Sequence, residues 1–161
     1  MRKERLKRTH AILSGTNMVM SLLGVLAMWR SHWLTGKANF YSLHSWIGVA
    51  TNAFYVSQFA LGFLAFLRPG LAQHRRAQLM PWHRALGGAI LVLACMATVT
   101  GILELAIFQD KEKSYSSFKP ITFIVNFAGL STILVTALTI YLLSAPQYLR
   151  PRLPEEEPLK R

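Results

Sequence analysis

Cysteine is nearly absent from this sequence, because Cys95 is the only one among 161 residues. A single cysteine excludes a disulfide within the chain and a cysteine-rich metal or iron–sulfur site. Acidic residues are also scarce, since 7 Asp and Glu stand against 18 Lys and Arg, which gives a formal net charge of +11. The basic residues flank long apolar stretches, as they do in membrane proteins, and we therefore expect no nucleic-acid partner.

Amphipathic periodicity, the mark of helices in water-soluble proteins, is missing as well. The apolar residues make up 52% of the chain and fall into four blocks. Each block reaches the length of about 20 residues that a helix needs to cross a hydrocarbon core of about 30 Å. No small-residue cleavage site follows the basic first residues, so we expect no removed signal peptide. The sequence predicts an all-α, polytopic protein of the lipid bilayer.

Four transmembrane helices are predicted from the apolar blocks and the turn-forming residues between them. Their predicted ranges are residues 9–29, 42–67, 82–108 and 121–145. Thr9 is a candidate N-cap of the first helix, and Pro81 fits the first turn of the third. Residues 1–161 are predicted to form one domain, with residues 146–161 as a flexible cytosolic tail.

Lys and Arg are distributed unevenly among the segments outside the predicted helices. The amino-terminal arm, the second loop and the tail hold 12 of these residues, whereas the first and third loops hold 5. Cytosolic segments are enriched in Lys and Arg, and four spans place both ends of the chain on one face. Both termini are therefore predicted to be cytosolic.

Three histidines lie just inside the predicted helices, where an ionisable side chain is costly unless it is used. His10 and His83 open the first and third helices, which both start at the predicted cytosolic face, so their imidazoles should lie at one depth. A haem iron can take one axial ligand on each face, and two histidines from separate helices meet that condition. His44 opens the second helix at the other face, where the only candidate partner, His32, falls in a predicted loop.

A small residue follows each of these histidines by one turn and shares its helix face. The pairs are His10 with Ser14, His44 with Gly48, and His83 with Gly87. Gly62 also follows His44 by five whole turns, or 18 residues, and so returns to its face. Gly101 follows His83 by the same interval. This spacing predicts room for two macrocycles, one near each membrane face.

Simpler explanations exist for each of these patterns. Small residues four apart commonly serve helix packing alone, and a histidine near a helix end is often only an interfacial residue. Polar residues within membrane helices more often hydrogen-bond to a neighbouring helix than bind a ligand. Tyr55, Gln58, Glu104 and Asn126 are interpreted in that way.

Several short motifs in the sequence resemble those of a known protein family. The most specific is Asn39–Gly48, which reads NFYSLHSWIG. The others are Gln58 with Leu61-Gly62-Phe63, Met80-Pro81-x-His83, Gly101-x-x-Glu104, Tyr115-Ser116-x-Phe118-x-Pro120 and Asn126-x-x-Gly129-Leu130. From about Lys7 to Pro151, the chain resembles the cytochrome b561 family, transmembrane reductases that take electrons from cytosolic ascorbate.

The resemblance implies the third to sixth of that family's six helices, so the first two are expected to be missing. His10 and His83 match the pair that holds the haem b nearer the cytosol. His44 matches one ligand of a second haem, whose other ligand belongs to the family's second helix. His32 falls where many members carry a histidine associated with the non-cytosolic substrate site.

By the same resemblance, the expected function is one-electron transfer across a membrane. An ascorbate-dependent oxidoreductase of this kind would reduce a non-cytosolic acceptor, either ferric iron or monodehydroascorbate. His32, Asn39 and Tyr41 are expected to line the mouth for that acceptor. The residues expected to attract the ascorbate anion at the cytosolic mouth are Arg5, Lys7, Arg8, Arg75 and Arg76. The same basic residues could equally serve as topology determinants only.

A second hypothesis stays open beside the reductase. A chain that lacks one ligand can bind a single haem or none, and can act as a non-catalytic bundle by association with full-length relatives. The resemblance further implies a homodimer, in an endomembrane, a vesicle or lysosome-type membrane, or the plasma membrane.

Overall fold

The computed structural model describes residues 2–67, 71–110 and 115–148, and these ranges are helical except for short connections. The long helices are α1 (Arg2–Thr35), α2 (Leu43–Gly62), α3 (Gln73–Gln109) and α4 (Pro120–Ser144). A π-helical turn, Phe63–Leu67, continues α2, and a 3-10 turn, Pro146–Tyr148, follows α4. No strand occurs within the described ranges, and the all-α prediction is confirmed.

Four helical segments are long and apolar enough to cross a membrane. They are Glu4–Thr35, Leu43–Leu67, Gln73–Phe108 and Pro120–Ser144. Large apolar side chains face outward along them, and Phe127 and Leu134 of α4 are 74% and 69% exposed. Such surfaces are unfavourable in water but are solvated by lipid chains. The prediction of a polytopic membrane protein is therefore confirmed.

The predicted starts of the first and third helices are wrong, although α2 and α4 begin within one residue of their predicted starts. Helix α1 begins at Arg2, so Thr9 lies inside the helix and is not an N-cap. Helix α3 begins at Gln73 and contains Pro81 eight residues later, whereas the sequence predicted a loop up to residue 80. Arg, Lys, Gln and Ala are good helix formers, so each helix continues past its apolar block.

The end of α1 was also predicted too early. The helix continues to Thr35, so His32 lies in its last turn and not in a loop. Gly36 then adopts a left-handed conformation with φ of 66°, and the Lys37 N–H donates to the His32 carbonyl over 3.0 Å. This is a glycine C-cap of the Schellman type, in which the missing Cβ makes the positive φ inexpensive.

The described chain separates into two compact units. The first contains the described residues within Met1–Asn39 and Asn52–Ile90, and the second contains those within Phe40–Thr51 and Leu91–Leu149. We call them the His83 unit and the His44 unit after the histidines that they contain. The single domain stays a prediction, and residues 149–161 of the predicted tail lie outside the described residues.

Candidate functional site

His10 of α1 and His83 of α3 lie next to each other in the His83 unit. Their ring centroids are 6.4 Å apart, and the two ring planes are nearly perpendicular, at 89°. Metal–imidazole nitrogen bonds are about 2 Å long, so two such bonds, with about 1 Å from each nitrogen to its ring centre, span roughly 6 Å. The separation of the two ring centroids is thus the one expected for two imidazoles that share one metal ion.

Gly62 of α2 lies directly against the imidazole of His83. A Cβ at this position would come within 2.9 Å of His83 Cε1 and 3.4 Å of Nδ1, closer than side-chain atoms normally approach. The sequence spacing predicted that Gly62 leaves room for a macrocycle, and the structure places the His83 imidazole against this glycine. The glycine makes room for the imidazole itself, because any side chain here would displace the ring.

Gln58 holds the backbone of His83. Its side-chain amide, at Nε2, donates to the His83 carbonyl oxygen over 2.6 Å. A Cβ at Gly87 would lie 3.6 Å from the same nitrogen. The surface that Gly87 leaves bare is therefore covered by the Gln58 amide, and this glycine lets the amide approach α3.

Phe66 completes the surroundings of His83 and was not singled out by the sequence argument. Its ring centroid lies 5.2 Å from that of His83, with an edge-to-face angle of 61°. Gln58, Gly62 and Phe66 thus contact one histidine at successive intervals of four residues, and we call these three residues the His83 cradle. The four-residue spacing is visible in the sequence, although the sequence does not show which residue they face.

Two hydrogen bonds and one close approach hold α1 beside α2. The Tyr55 hydroxyl donates to the Ser14 carbonyl over 3.0 Å. The Ser21 hydroxyl donates to the side-chain oxygen of Asn52 over 2.7 Å. A Cβ at Gly15 would stand 3.3 Å from the ring of Phe59. These contacts agree with the packing interpretation of polar and small residues in the helices.

His44 has a comparable position in the other unit. Its Nδ1 lies 2.8 Å from the Ala97 carbonyl oxygen of α3. Because a carbonyl oxygen only accepts, Nδ1 carries the hydrogen, and Nε2 keeps the lone pair that a metal needs. A Cβ at Gly101 would lie 2.6 Å from His44 Cε1, so this glycine also makes room for an imidazole. A Cβ at Gly48 would meet no atom of the described structure within 4 Å.

The Tyr-Ser-Leu-His-Ser-Trp run fixes the start of α2. The Ser45 N–H donates to the Ser42 hydroxyl over 3.3 Å, so Ser42 acts as the N-cap. The Trp46 indole N–H donates to the Phe40 carbonyl over 3.0 Å, which ties the preceding connection to the first turn. Together these bonds place His44 in the first turn of the helix.

The residues proposed for the non-cytosolic mouth are distributed between the two units. In the His83 unit, His32 Nδ1 donates to the side-chain oxygen of Asn39 over 3.0 Å. In the His44 unit, Tyr41 lines a cavity of about 330 Å³. The other lining residues are Ser42, Thr100, Leu103, Glu104, Ile107 and Phe108. The sequence analysis interpreted Glu104 as a residue that hydrogen-bonds to a neighbouring helix. In the structure it is the acidic residue that lines this cavity.

The basic residues proposed for ascorbate lie on two helices of the His83 unit. Arg5, Lys7 and Arg8 belong to the first turns of α1, and Arg8 pairs with Glu4 at 3.6 Å. Arg75 and Arg76 belong to the first turn of α3. The Arg76 Nε is buried and has no hydrogen-bond acceptor within the described part of the chain.

The family described as eukaryotic cytochrome b561 matches residues 1–109. Transmembrane ascorbate ferrireductase 2 of Arabidopsis thaliana is 37% identical over 134 residues, 83% of this chain and 58% of that protein. Plasma membrane ascorbate-dependent reductase CYBRD1 of Mus musculus is 34% identical over 156 residues, 96% of this chain and 53% of the relative. Transmembrane ascorbate-dependent reductase CYB561 of Ovis aries is 32% identical over 157 residues, which are 98% of this chain and 62% of that protein. The chain thus spans between about half and three-fifths of the length of these relatives.

Proposed function

The chain belongs to the eukaryotic cytochrome b561 family, and on that basis we propose that it binds haem b between His10 and His83 and takes part in ascorbate-dependent electron transfer across a membrane. The relatives are named as ascorbate-dependent reductases and ferrireductases. One observation carries the proposal to this chain: two imidazoles from separate helices, 6.4 Å apart between centroids, meet inside the membrane-spanning part of the fold.

The residues of the His83 unit supply the ligands and their setting. His10 and His83 would hold the haem iron between them, and two protein ligands would leave no position for dioxygen, which suits electron transfer. When bound, haem supplies a centre that accepts and releases one electron. Gly62 gives the His83 ring its space, and Gln58 holds the backbone that carries it. The apolar helix faces keep the local dielectric low.

The cytosolic electron donor is proposed to be ascorbate. Arg5, Lys7 and Arg8 begin α1, and Arg75 and Arg76 begin α3, the two helices that carry His10 and His83. Side chains of one charge around the ligand pair would raise the local concentration of an anion such as ascorbate. The excess of Lys and Arg supports a cytosolic location for this end and for both termini.

His44 is proposed as one ligand of a second haem, toward the opposite membrane face. Its Nδ1–H bond to the Ala97 carbonyl holds the ring with Nε2 available. A non-cytosolic acceptor, ferric iron or monodehydroascorbate, would then be reduced near His32, Asn39 and Tyr41. A homodimer of this chain is part of the same proposal, by family resemblance.

The alternative function, a single-haem bundle that acts by association with a relative, also has an observation in its favour. Among the described residues of the His44 unit, His44 is the only histidine. The second axial ligand would then have to come from another segment or another chain.

The test of the proposal is the absorption spectrum of the purified protein. We expect a six-coordinate, low-spin b-type haem that ascorbate reduces. His10→Ala should lose this spectrum, while the matched control His74→Ala, an exposed residue in the first turn of α3, should keep it. A His10→Ala protein with an unchanged haem spectrum would refute the assignment of the ligand pair.

A further inference from the structure

Phe66 is presented to His83 by an unusual piece of backbone. The π-helical turn Phe63–Leu67 begins directly after Gly62, the glycine that touches the His83 ring. A π turn is wider than an α turn, so it changes the direction in which the following side chains leave the helix. Such turns are rare and are often found at functional positions. Within this turn, Phe66 is the residue whose ring reaches the histidine.

The three members of the His83 cradle restrain different parts of the histidine. Gln58 bonds the carbonyl oxygen and so restrains the backbone of α3. Gly62 lies against Cε1 and Nδ1, so the helix backbone limits the ring along that edge. Phe66 approaches ring to ring, 5.2 Å between centroids and at 61°, within the range of edge-to-face aromatic pairs. Gly62 borders one edge of the ring, whereas Phe66 packs ring to ring against the imidazole in a geometry that depends on its tilt.

The tilt of the imidazole matters because its plane is nearly perpendicular to that of His10, at 89°. Two iron d orbitals can overlap with the π systems of axial imidazoles. The angle between the two ring planes controls the energy difference between these orbitals, which is smallest when the planes are perpendicular. It therefore controls the anisotropy of the paramagnetic signal of a low-spin ferric haem. Rotation of one ring away from the perpendicular would reduce that anisotropy.

We propose that Phe66 is a positioning residue that sets the plane of the His83 imidazole, and thereby the electronic state of the iron that His10 and His83 ligate. The inference rests on the proposed function, since it requires haem at this pair. Phe66 touches the ligand and acts through it. Hydrogen-bond partners of metal-ligating histidines typically change metal affinity or activity by about 10- to 100-fold when they are replaced, and we expect the ring contact of Phe66 to lie at the lower end of that range.

The experiment compares Phe66→Leu with Phe63→Leu in the full chain loaded with haem. Phe63 lies in the same π turn, and its ring neighbours that of Phe59 at 6.2 Å between centroids. The readouts are the electron paramagnetic resonance spectrum of the ferric protein and haem affinity in a titration. We expect Phe66→Leu to lower the largest g value and to weaken haem binding by about tenfold. Phe63→Leu should leave both unchanged.

Three results would overturn the inference while leaving the proposed function in place. The first is a wild-type spectrum in Phe66→Leu, and the second is an equal change in Phe63→Leu. If Phe66→Leu binds no haem, Phe66→Tyr decides, because it keeps the ring and should keep the wild-type haem content and spectrum. Loss of haem from the tyrosine variant as well would be the third such result. Failure of the wild-type protein itself to show a low-spin haem would refute the proposed function, and this inference with it.

Discussion

The His83 unit and the His44 unit place an imidazole in the same way but complete its surroundings differently. In each unit a histidine of one helix lies against a bare glycine of another, His83 against Gly62 and His44 against Gly101. The His83 ring then meets a second imidazole, that of His10. The His44 ring instead donates to the Ala97 carbonyl. The glycine therefore makes room for an imidazole, whereas the neighbouring groups decide whether a second imidazole or a backbone carbonyl faces it.

The largest difference between the units is expected when their glycines are filled. Gly62→Leu should remove the haem, because its Cβ would stand 2.9 Å from His83 Cε1 and displace the ring. Overpacking of this kind costs about 1–3 kcal/mol, which corresponds to a loss of roughly 5- to 150-fold in haem affinity. Gly101→Leu, which disturbs only His44, should keep the haem held by His10 and His83. The measurement for both variants is the haem content per chain.

The matched control for these two variants is Gly24→Leu, since a Cβ at Gly24 would meet no described atom within 4 Å. It should keep both the haem content and the helical circular dichroism of the wild type. Equal haem loss in the Gly62 and Gly101 variants would contradict the separate roles assigned to the two units.

An intermediate effect is expected when a second ligand is supplied to His44. Alone, the protein should carry one tightly bound haem that ascorbate reduces. It should transfer electrons only slowly to an acceptor on the other side of a membrane. Co-expression with the part of a relative that this chain does not match should raise the content to two haems per chain and increase ferric reduction outside vesicles loaded with ascorbate.

His44→Ala is the control for that experiment, because it should abolish the increase and leave the first haem in place. Two low-spin haems in the isolated chain, together with rapid reduction of the outside acceptor, would show that His32 or a partner molecule already supplies the missing ligand. The single-haem interpretation would then be abandoned.

The smallest effect concerns the start of α2. Ser42→Ala removes the hydroxyl that accepts from the Ser45 N–H, and loss of an N-cap typically costs about 1 kcal/mol. Amide hydrogen exchange in the first turn around His44 should become roughly fivefold faster, since 1.4 kcal/mol corresponds to about a factor of ten. Haem held by His10 and His83 should be unaffected.

Thr98→Ala is a suitable control for the cap variant, because the Thr98 hydroxyl bonds only to the Ala94 carbonyl of its own helix turn among the contacts described. Exchange in the first turn of α2 should stay at the wild-type rate in this protein. If Ser42→Ala shows no faster exchange either, the capping bond contributes nothing to the position of His44.

Much of the architecture was predictable from local sequence. Four apolar blocks gave four helices, and α2 and α4 begin where the apolar pattern begins. The starts of α1 and α3 were missed because polar helix formers extend a helix beyond the apolar block that predicts it. The polar arm before His10 and the segment before Pro81 carry no breaker strong enough to stop that extension.

The sequence by itself indicated which residues could meet: His10 and His83 lie in the first and third helices, Gly62 follows His44 by five turns, and Gly101 follows His83 by the same interval. Only the tertiary structure decided what those glycines face. Helical periodicity specifies a face of one helix, but the neighbour of that face depends on how two helices pack. Hence Gly62 meets the His83 ring, Gly87 meets Gln58, and Phe66 is aimed at His83 by a π turn that periodicity does not reveal.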